Sequence, residues 1–215
     1  VINAGQQPTD FKVSFPHLSG LAVSAQPADD YYFFPSGGGI INHVPALIRR
    51  GYGDHEALYQ VMDLYSPALG CGVSVRADDA EGWQKILALR KYLPGQGTAN
   101  EAKTWSDMRV RAEYRWLNSL DAEVEGTSFA YDYLRRTRAP GAGFQPASAV
   151  IAVHPGDWHT PMKEYSAWAH RAWKFRPFPS KLKTVHNMLA AGWGWQGALF
   201  KDGKYRTDFI KPMTD

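Results

Sequence analysis

The sequence predicts an α+β fold with short N-terminal strands, a helical middle and a C-terminal helix–helix–hairpin unit. Three observations predict it. Phe11, Val13 and Phe15 alternate with polar residues, the period of a half-buried strand. Through the middle, apolar residues recur at helical spacing behind capping residues. In the last third, Asp202-Gly203 sits between two aromatic-rich runs, a hairpin signal because Gly tolerates the positive φ of a primed turn.

Taken in order, the first 40 residues read as strands and loops. Leu21–Val23 and Tyr31–Phe34 are short apolar runs bounded by turn formers, and Pro35–Gly39 is a loop. No Gly-Lys-Ser/Thr follows it, so it is not a phosphate-binding loop. Asp54 is placed to cap a helix whose Leu58, Val61, Met62 and Tyr65 share one face, ending at Pro67. Asp78 caps a second, with Trp83, Ile86 and Leu87 inward. Thr104 caps a third, with Met108, Ala112, Trp116 and Leu120 on one face.

Ala147–Val153 is a continuous small-apolar and β-branched run and reads as a buried strand. Thr160-Pro161 then gives an N-cap with proline in the first turn, and Tyr165, Trp168, Ala169, Ala172 and Trp173 follow at helical spacing. Ser180 caps the next helix, with Leu182, Val185 and Leu189 inward and Gly192 as its stop.

The 215 residues are read as a single domain, with 139–146 as the one candidate sub-boundary. Hydrophobic residues at 44% and charged residues at 21% mark a globular protein. A chain of this length buries roughly 70% of its unfolded surface and needs no staples. Cys71 is the only cysteine, which rules out an intrachain disulfide and fits the cytoplasm. No apolar run approaches the ~20 residues of a membrane span, so no membrane partner is expected. Val1 opens the chain without a basic and apolar leader, so a signal peptide is either absent or removed before it.

The net charge of +3 conceals an asymmetry. Residues 1–134 hold 11 Lys and Arg against 16 Asp and Glu, and residues 135–215 hold 13 against 5. A basic last third points to an anionic partner such as nucleic acid, unless the charges are simply solvated.

Within that third, residues 160–210 run helix, turn, helix, hairpin. The order resembles the helix-turn-helix and wing of winged-helix DNA-binding domains. The resemblance implies that Lys181, Lys183, Thr184 and Asn187 lie on a helix in the major groove. It also implies that Lys201, Lys204 and Arg206 on the hairpin meet phosphates. Nucleic-acid binding is therefore the leading expectation.

The competing expectation is a metal-dependent hydrolase. His154, Asp157 and His159 fall within six residues, directly after a predicted strand. Two imidazoles and a carboxylate supply three ligands for Zn²⁺ or Fe²⁺, and an open position would activate water. In the bland alternative, the same side chains bond free N–H groups at the start of the following helix.

Two weaker patterns remain. Gly70-Cys71-Gly72 with His55 upstream resembles the L,D-transpeptidases, whose thiolate attacks a peptide carbonyl. Asp78 and Asp79 followed by Glu101-Ala102-Lys103 resemble the minimal metal-binding pattern of restriction-enzyme-like nucleases. Aromatics are dense: Trp158, Trp168, Trp173, Trp193 and Trp195 lie close together. Such rings fill cores or, when exposed, stack on bases or sugars. A structural or assembly protein without a site is the third expectation.

Overall fold

A computed structural model describes residues 1–52, 56–96, 99–100, 120, 123–174, 200–201 and 204–205. It divides into two compact units, Val1–Lys174 and Phe175–Asp215. The loop 139–146 lies inside the first.

The first unit is a two-sheet β-sandwich. One sheet has the order β1-β9-β7-β4-β8, from Thr9–Leu21, Gly126–Arg138, Lys85–Tyr92, Ala46–Tyr52 and Ala99–Asn100. The other has the order β10-β6-β5-β2-β3, from Ser148–Pro155, Cys71–Asp78, Val61–Ser66, Tyr31–Phe34 and Ile40–Asn42. Within these sheets every pairing is antiparallel except that of β4 with β8. The helix α1, His159–Ala172, follows β10. In the second unit, β11 (Phe200–Lys201) and β12 (Lys204–Tyr205) pair where the Asp-Gly signal places a hairpin.

This architecture corrects the α+β expectation. Among the described residues strands account for 50% and helices for 12%, so the fold is mostly β. The middle that reads as helical is β5, β6 and β7. β5 and β7 are interior strands, and every residue of Val61–Ser66 and of Lys85–Lys91 is buried. A strand covered on both faces loses its period-2 alternation, and its apolar run then falls at helical spacing by accident. The third expected helix, over 104–120, and the one capped by Ser180 lie outside the described residues, Leu120 excepted.

The core lies between the sheets. Tyr32 and Phe34 of β2, Met62 and Leu64 of β5, and Val75 and Ala77 of β6 face Ile48 of β4, Leu87 and Leu89 of β7, and Phe129, Tyr131 and Tyr133 of β9. Alternation along β7 places Lys85 and Lys91 on the same inward side, one at each end of the leucines. Both are fully buried. Lys91 donates to the carbonyl of Asp30 at 2.6 Å, and burial lowers its ammonium to a pKa of about 8. Lys85 donates to Asp79 at 2.5 Å. The row of inward leucines on β7 is thus flanked by a buried ammonium on each side.

Helix α1 covers the outer face of the second sheet. Tyr165, Met162, Trp158 and Trp168 pack on Phe33 and Val61. Trp158 stacks on Phe33 with ring centroids 5.1 Å apart. At the far end, the Trp173 indole donates to the carbonyl of Ala80 at 2.8 Å. No described helix is long and apolar enough to cross a membrane.

Candidate functional site

Two groups of polar side chains stand out in the first unit. One is buried beneath the start of α1, and the other lines an open cleft at one end of the sandwich.

The buried group is His154 and Asp63. His154 lies on β10, opposite Gly72 of β6. Its Nε2 is 2.8 Å from Asp63 Oδ1 on β5, and its Nδ1 is 3.1 Å from the carbonyl of Pro155. Gly72 makes room for the ring, since a Cβ there would sit 2.8 Å from His154 Cε1 and from the backbone oxygen of Leu64. Asp63 is fully buried, and its Oδ2 has no hydrogen-bond partner. Burial pushes its carboxyl up to about 6, although the bond to His154 pulls the other way.

The three residues of the metal reading do not converge. His154 turns to Asp63, whereas Asp157 and His159 pair with each other at 2.8 Å on the surface. Among the described residues no group of three His, Cys, Asp or Glu side chains is arranged to hold a metal. Asp157 serves the helix instead. Its Oδ1 accepts the backbone N–H of His159, and that bond holds the carboxyl below the usual range. Thr160, expected as the cap, donates its hydroxyl to the carbonyl of Pro155.

The other sequence-singled residues fall as follows. Cys71 opens β6, partly buried, with Ser66 and Pro155 as register partners. Asp78 pairs with Arg76 at 2.7 Å, and Asp79 pairs with Lys85. Lys201 and Lys204 are register partners in the hairpin. His55, Glu101, Lys103, Lys181, Lys183, Thr184, Asn187 and Arg206 lie outside the described residues.

The open cleft has a volume of about 530 Å³. Its lining includes Asp78, Asp79, Trp83, Arg138, Phe144 and Gln145. The turn between β6 and β7 makes one wall. Asp79 shapes this turn by accepting the N–H groups of Gly82, at 3.1 Å, and Trp83, at 2.8 Å. Gly82 adopts φ +69°, a conformation that favours glycine, with open space around it. The connection from β9 to β10 makes the other wall. Chain residues 1–3 brace it: the nitrogen of Val1 donates to Phe144, and the side-chain amide of Asn3 donates to the carbonyl of Arg138 at 2.9 Å.

Arg136 and Arg138 reach this end of the sandwich through a bulge. Between Val13 and Phe11 of β1, the register on β9 advances from Tyr133 to Arg136, one residue more than on β1. Beyond the bulge Arg136 lies over the Trp83 ring at 4.0 Å and near Phe144 at 5.1 Å. Burial, and then the charge of Arg138, lower the pKa of Arg136. Phe144 also meets Tyr133 edge-on at 5.4 Å. Burial raises the Tyr133 and Tyr52 hydroxyls to about 12, which keeps both neutral beside the Lys85 ammonium.

Asp63, Arg136 and Arg138 were not singled out by sequence reasoning, and Trp83 was read only as an inward residue of an expected helix. For Asp63 a signal exists: it is a lone carboxylate in the apolar run Val61–Tyr65. For the arginines, the signal is the run Arg135-Arg136-Thr137-Arg138 at the charge switch. Compared with protein-family models, with curated proteins and with solved structures, the chain has no match.

Proposed function

We propose that the first unit is a binding module whose cleft takes a polyhydroxylated ligand, a saccharide. One observation carries this reading. The cleft joins the half-buried Trp83 ring to carboxylates, a guanidinium and the Gln145 amide within one volume of about 530 Å³, with the buried Phe144 behind Trp83. Sugar hydroxyls both donate and accept hydrogen bonds, so they need both kinds of partner at once. The C–H face of a sugar ring is apolar and rests on an aromatic side chain. Pockets of a few hundred Å³ with few, fixed polar groups are the common form of small-ligand sites. Here the polar groups are fixed: Asp79 by two backbone N–H groups and Lys85, and the opposite wall by residues 1–3.

The test is migration of the protein in native gels cast with a panel of neutral and acidic polysaccharides. At least one polysaccharide should retard it, with a Kd in the range of roughly 10 µM to 1 mM. Trp83→Ala should remove the retardation while far-UV circular dichroism stays that of a β-sandwich. Unretarded migration across the whole panel refutes the reading.

The second unit supports a separate reading, nucleic-acid binding. Residues 175–215 hold seven Lys and Arg against three Asp, so the basic charge is concentrated in this unit. In its hairpin Lys201 is the register partner of Lys204. Binding to a mixed-sequence duplex at about 50 mM salt should weaken steeply as salt rises. No binding at that salt ends this reading.

A further inference from the structure

The charges around the cleft are unevenly placed. Asp78 pairs with Arg76, which Glu164 also meets at 3.5 Å, and Asp79 pairs with Lys85. Glu81, exposed on the turn, has no ion pair among the described residues. Against it stand Arg136 and Arg138, two residues apart at the end of β9. Neither guanidinium has a hydrogen bond or ion pair among the described residues, although the charge of Asp79 reaches Arg136 and partly offsets that of Arg138. The Nε of each is buried without any hydrogen-bond acceptor. A buried N–H left unpaired is unfavourable.

The surroundings sharpen the point. The Arg136 guanidinium lies 4.0 Å from the centre of the Trp83 ring. Arg138 lines the cleft itself. Two like charges at this spacing repel each other, and the effect of Arg138 on Arg136 shows that they sense each other. An anion entering the cleft relieves that repulsion. Among anions, a carboxylate matches the guanidinium fork in plane and spacing and forms two parallel hydrogen bonds with it.

We infer that the saccharide taken by the cleft is acidic, a uronic acid whose carboxylate pairs with Arg138 while its ring rests against Trp83. This assignment rests on the saccharide reading of the cleft and adds to it the class of sugar. Arg138 is then the residue that sets specificity. Arg136 is a positioning residue, since it adds positive charge from its stacked place on Trp83.

The experiment compares two probes by isothermal titration calorimetry on the full chain: α-1,4-linked trigalacturonic acid and the neutral α-1,4-linked galactotriose. The acidic trisaccharide is expected to bind at least about tenfold more tightly, with an affinity that falls as salt rises. Arg138→Gln should reduce that preference, read as the ratio of the two affinities, to near unity. Arg138→Lys, which keeps the charge and loses the fork, should retain only a small part of it. Because the Arg138 backbone carbonyl still holds Asn3 in both variants, the strand end is preserved. Equal binding of the two sugars overturns the inference and leaves the saccharide reading standing. So does a preference that survives in Arg138→Gln. Failure of both sugars to bind, with the gel panel also negative, overturns both.

Discussion

Replacing Asp79 by Ala is expected to lower the stability of the first unit by about 3–5 kcal/mol, the cost of stranding a buried charge. Lys85 is 1% exposed and Asp79 2% exposed, and their ammonium and carboxylate meet at 2.5 Å. The rest of the Lys85 surroundings does not replace the carboxylate. The Trp83 carbonyl accepts one bond at 3.0 Å, and the rings of Tyr52 and Tyr133 face the ammonium at 4.6 and 5.5 Å. Burial already depresses the Lys85 pKa, and the Asp79 bond and charge are what oppose that. The variant also frees the N–H groups of Gly82 and Trp83, so the turn that walls the cleft loosens with it. Urea unfolding should show the change as a lower midpoint with an unchanged slope. The double variant Asp79→Ala/Lys85→Met should recover a large part of the loss, since a buried ion pair exchanged for apolar groups is often close to neutral. A single-variant loss below about 1 kcal/mol would show that Lys85 finds another partner or gives up its proton at little cost.

The same pair shows why part of the molecule was hidden in the sequence. Lys-Ile-Leu-Ala-Leu-Arg-Lys reads as a helix because most of its residues are good helix formers. It is an interior strand because Leu87 and Leu89 are needed between the sheets while Ile86 and Ala88 are buried on the other side. A lysine in a core strand is invisible to any hydropathy pattern, since its partner Asp79 arrives from a turn in the other sheet's connection. β1 and β2 were readable because their apolar residues are bounded by turn formers or alternate with polar ones. β10 was readable as a strand for its β-branched run, although it is an edge strand with Ile151 and Val153 exposed rather than a buried one. Helix α1 was readable because only one of its faces meets the sheet, so Tyr165 and Ala169 keep a clean helical spacing.

The site divides in the same way. His154 drew attention as part of a local cluster, yet its partner is Asp63, 91 residues away. Asp157 and His159 were grouped with it by proximity in the chain, but the turn at Gly156 separates them from it, with φ +78°. Arg136 and Arg138 were legible only as the start of the basic third. What gives them meaning is the bulge in β9 and the loop after it, and neither follows from composition. The loop 139–146, read as a candidate boundary for its Pro and Gly, is instead pinned by residues 1–3 and forms a wall of the cleft.

The His154–Asp63 pair makes the pH dependence of stability unusual in sign. Most carboxylates in a fold are stabilised as anions, so stability falls as pH drops. Asp63 is the reverse. Its carboxyl titrates at about 6 in the fold, against 3.8 as the ordinary value, because burial disfavours the anion more than His154 restores it. The fold therefore binds this proton more tightly than the unfolded chain does. The contribution of Asp63 is full below about pH 4 and is lost as pH rises through 6, amounting to about 3 kcal/mol across that window. Asp63→Asn removes the titration and keeps a carbonyl for His154 to bond. Urea midpoints measured from pH 4 to 7 should fall more steeply with pH in the natural chain than in Asp63→Asn, with the difference growing by up to about 3 kcal/mol. The two curves running parallel would mean that the carboxyl ionises in place without cost, with a doubly protonated His154 ring compensating it in full. That outcome is disfavoured by Oδ2, which stays buried with no donor to meet it. Asp63→Ala serves as the contrasting variant, since it leaves the His154 ring buried with Nε2 unpaired, and it should be less stable than Asp63→Asn at every pH in the range.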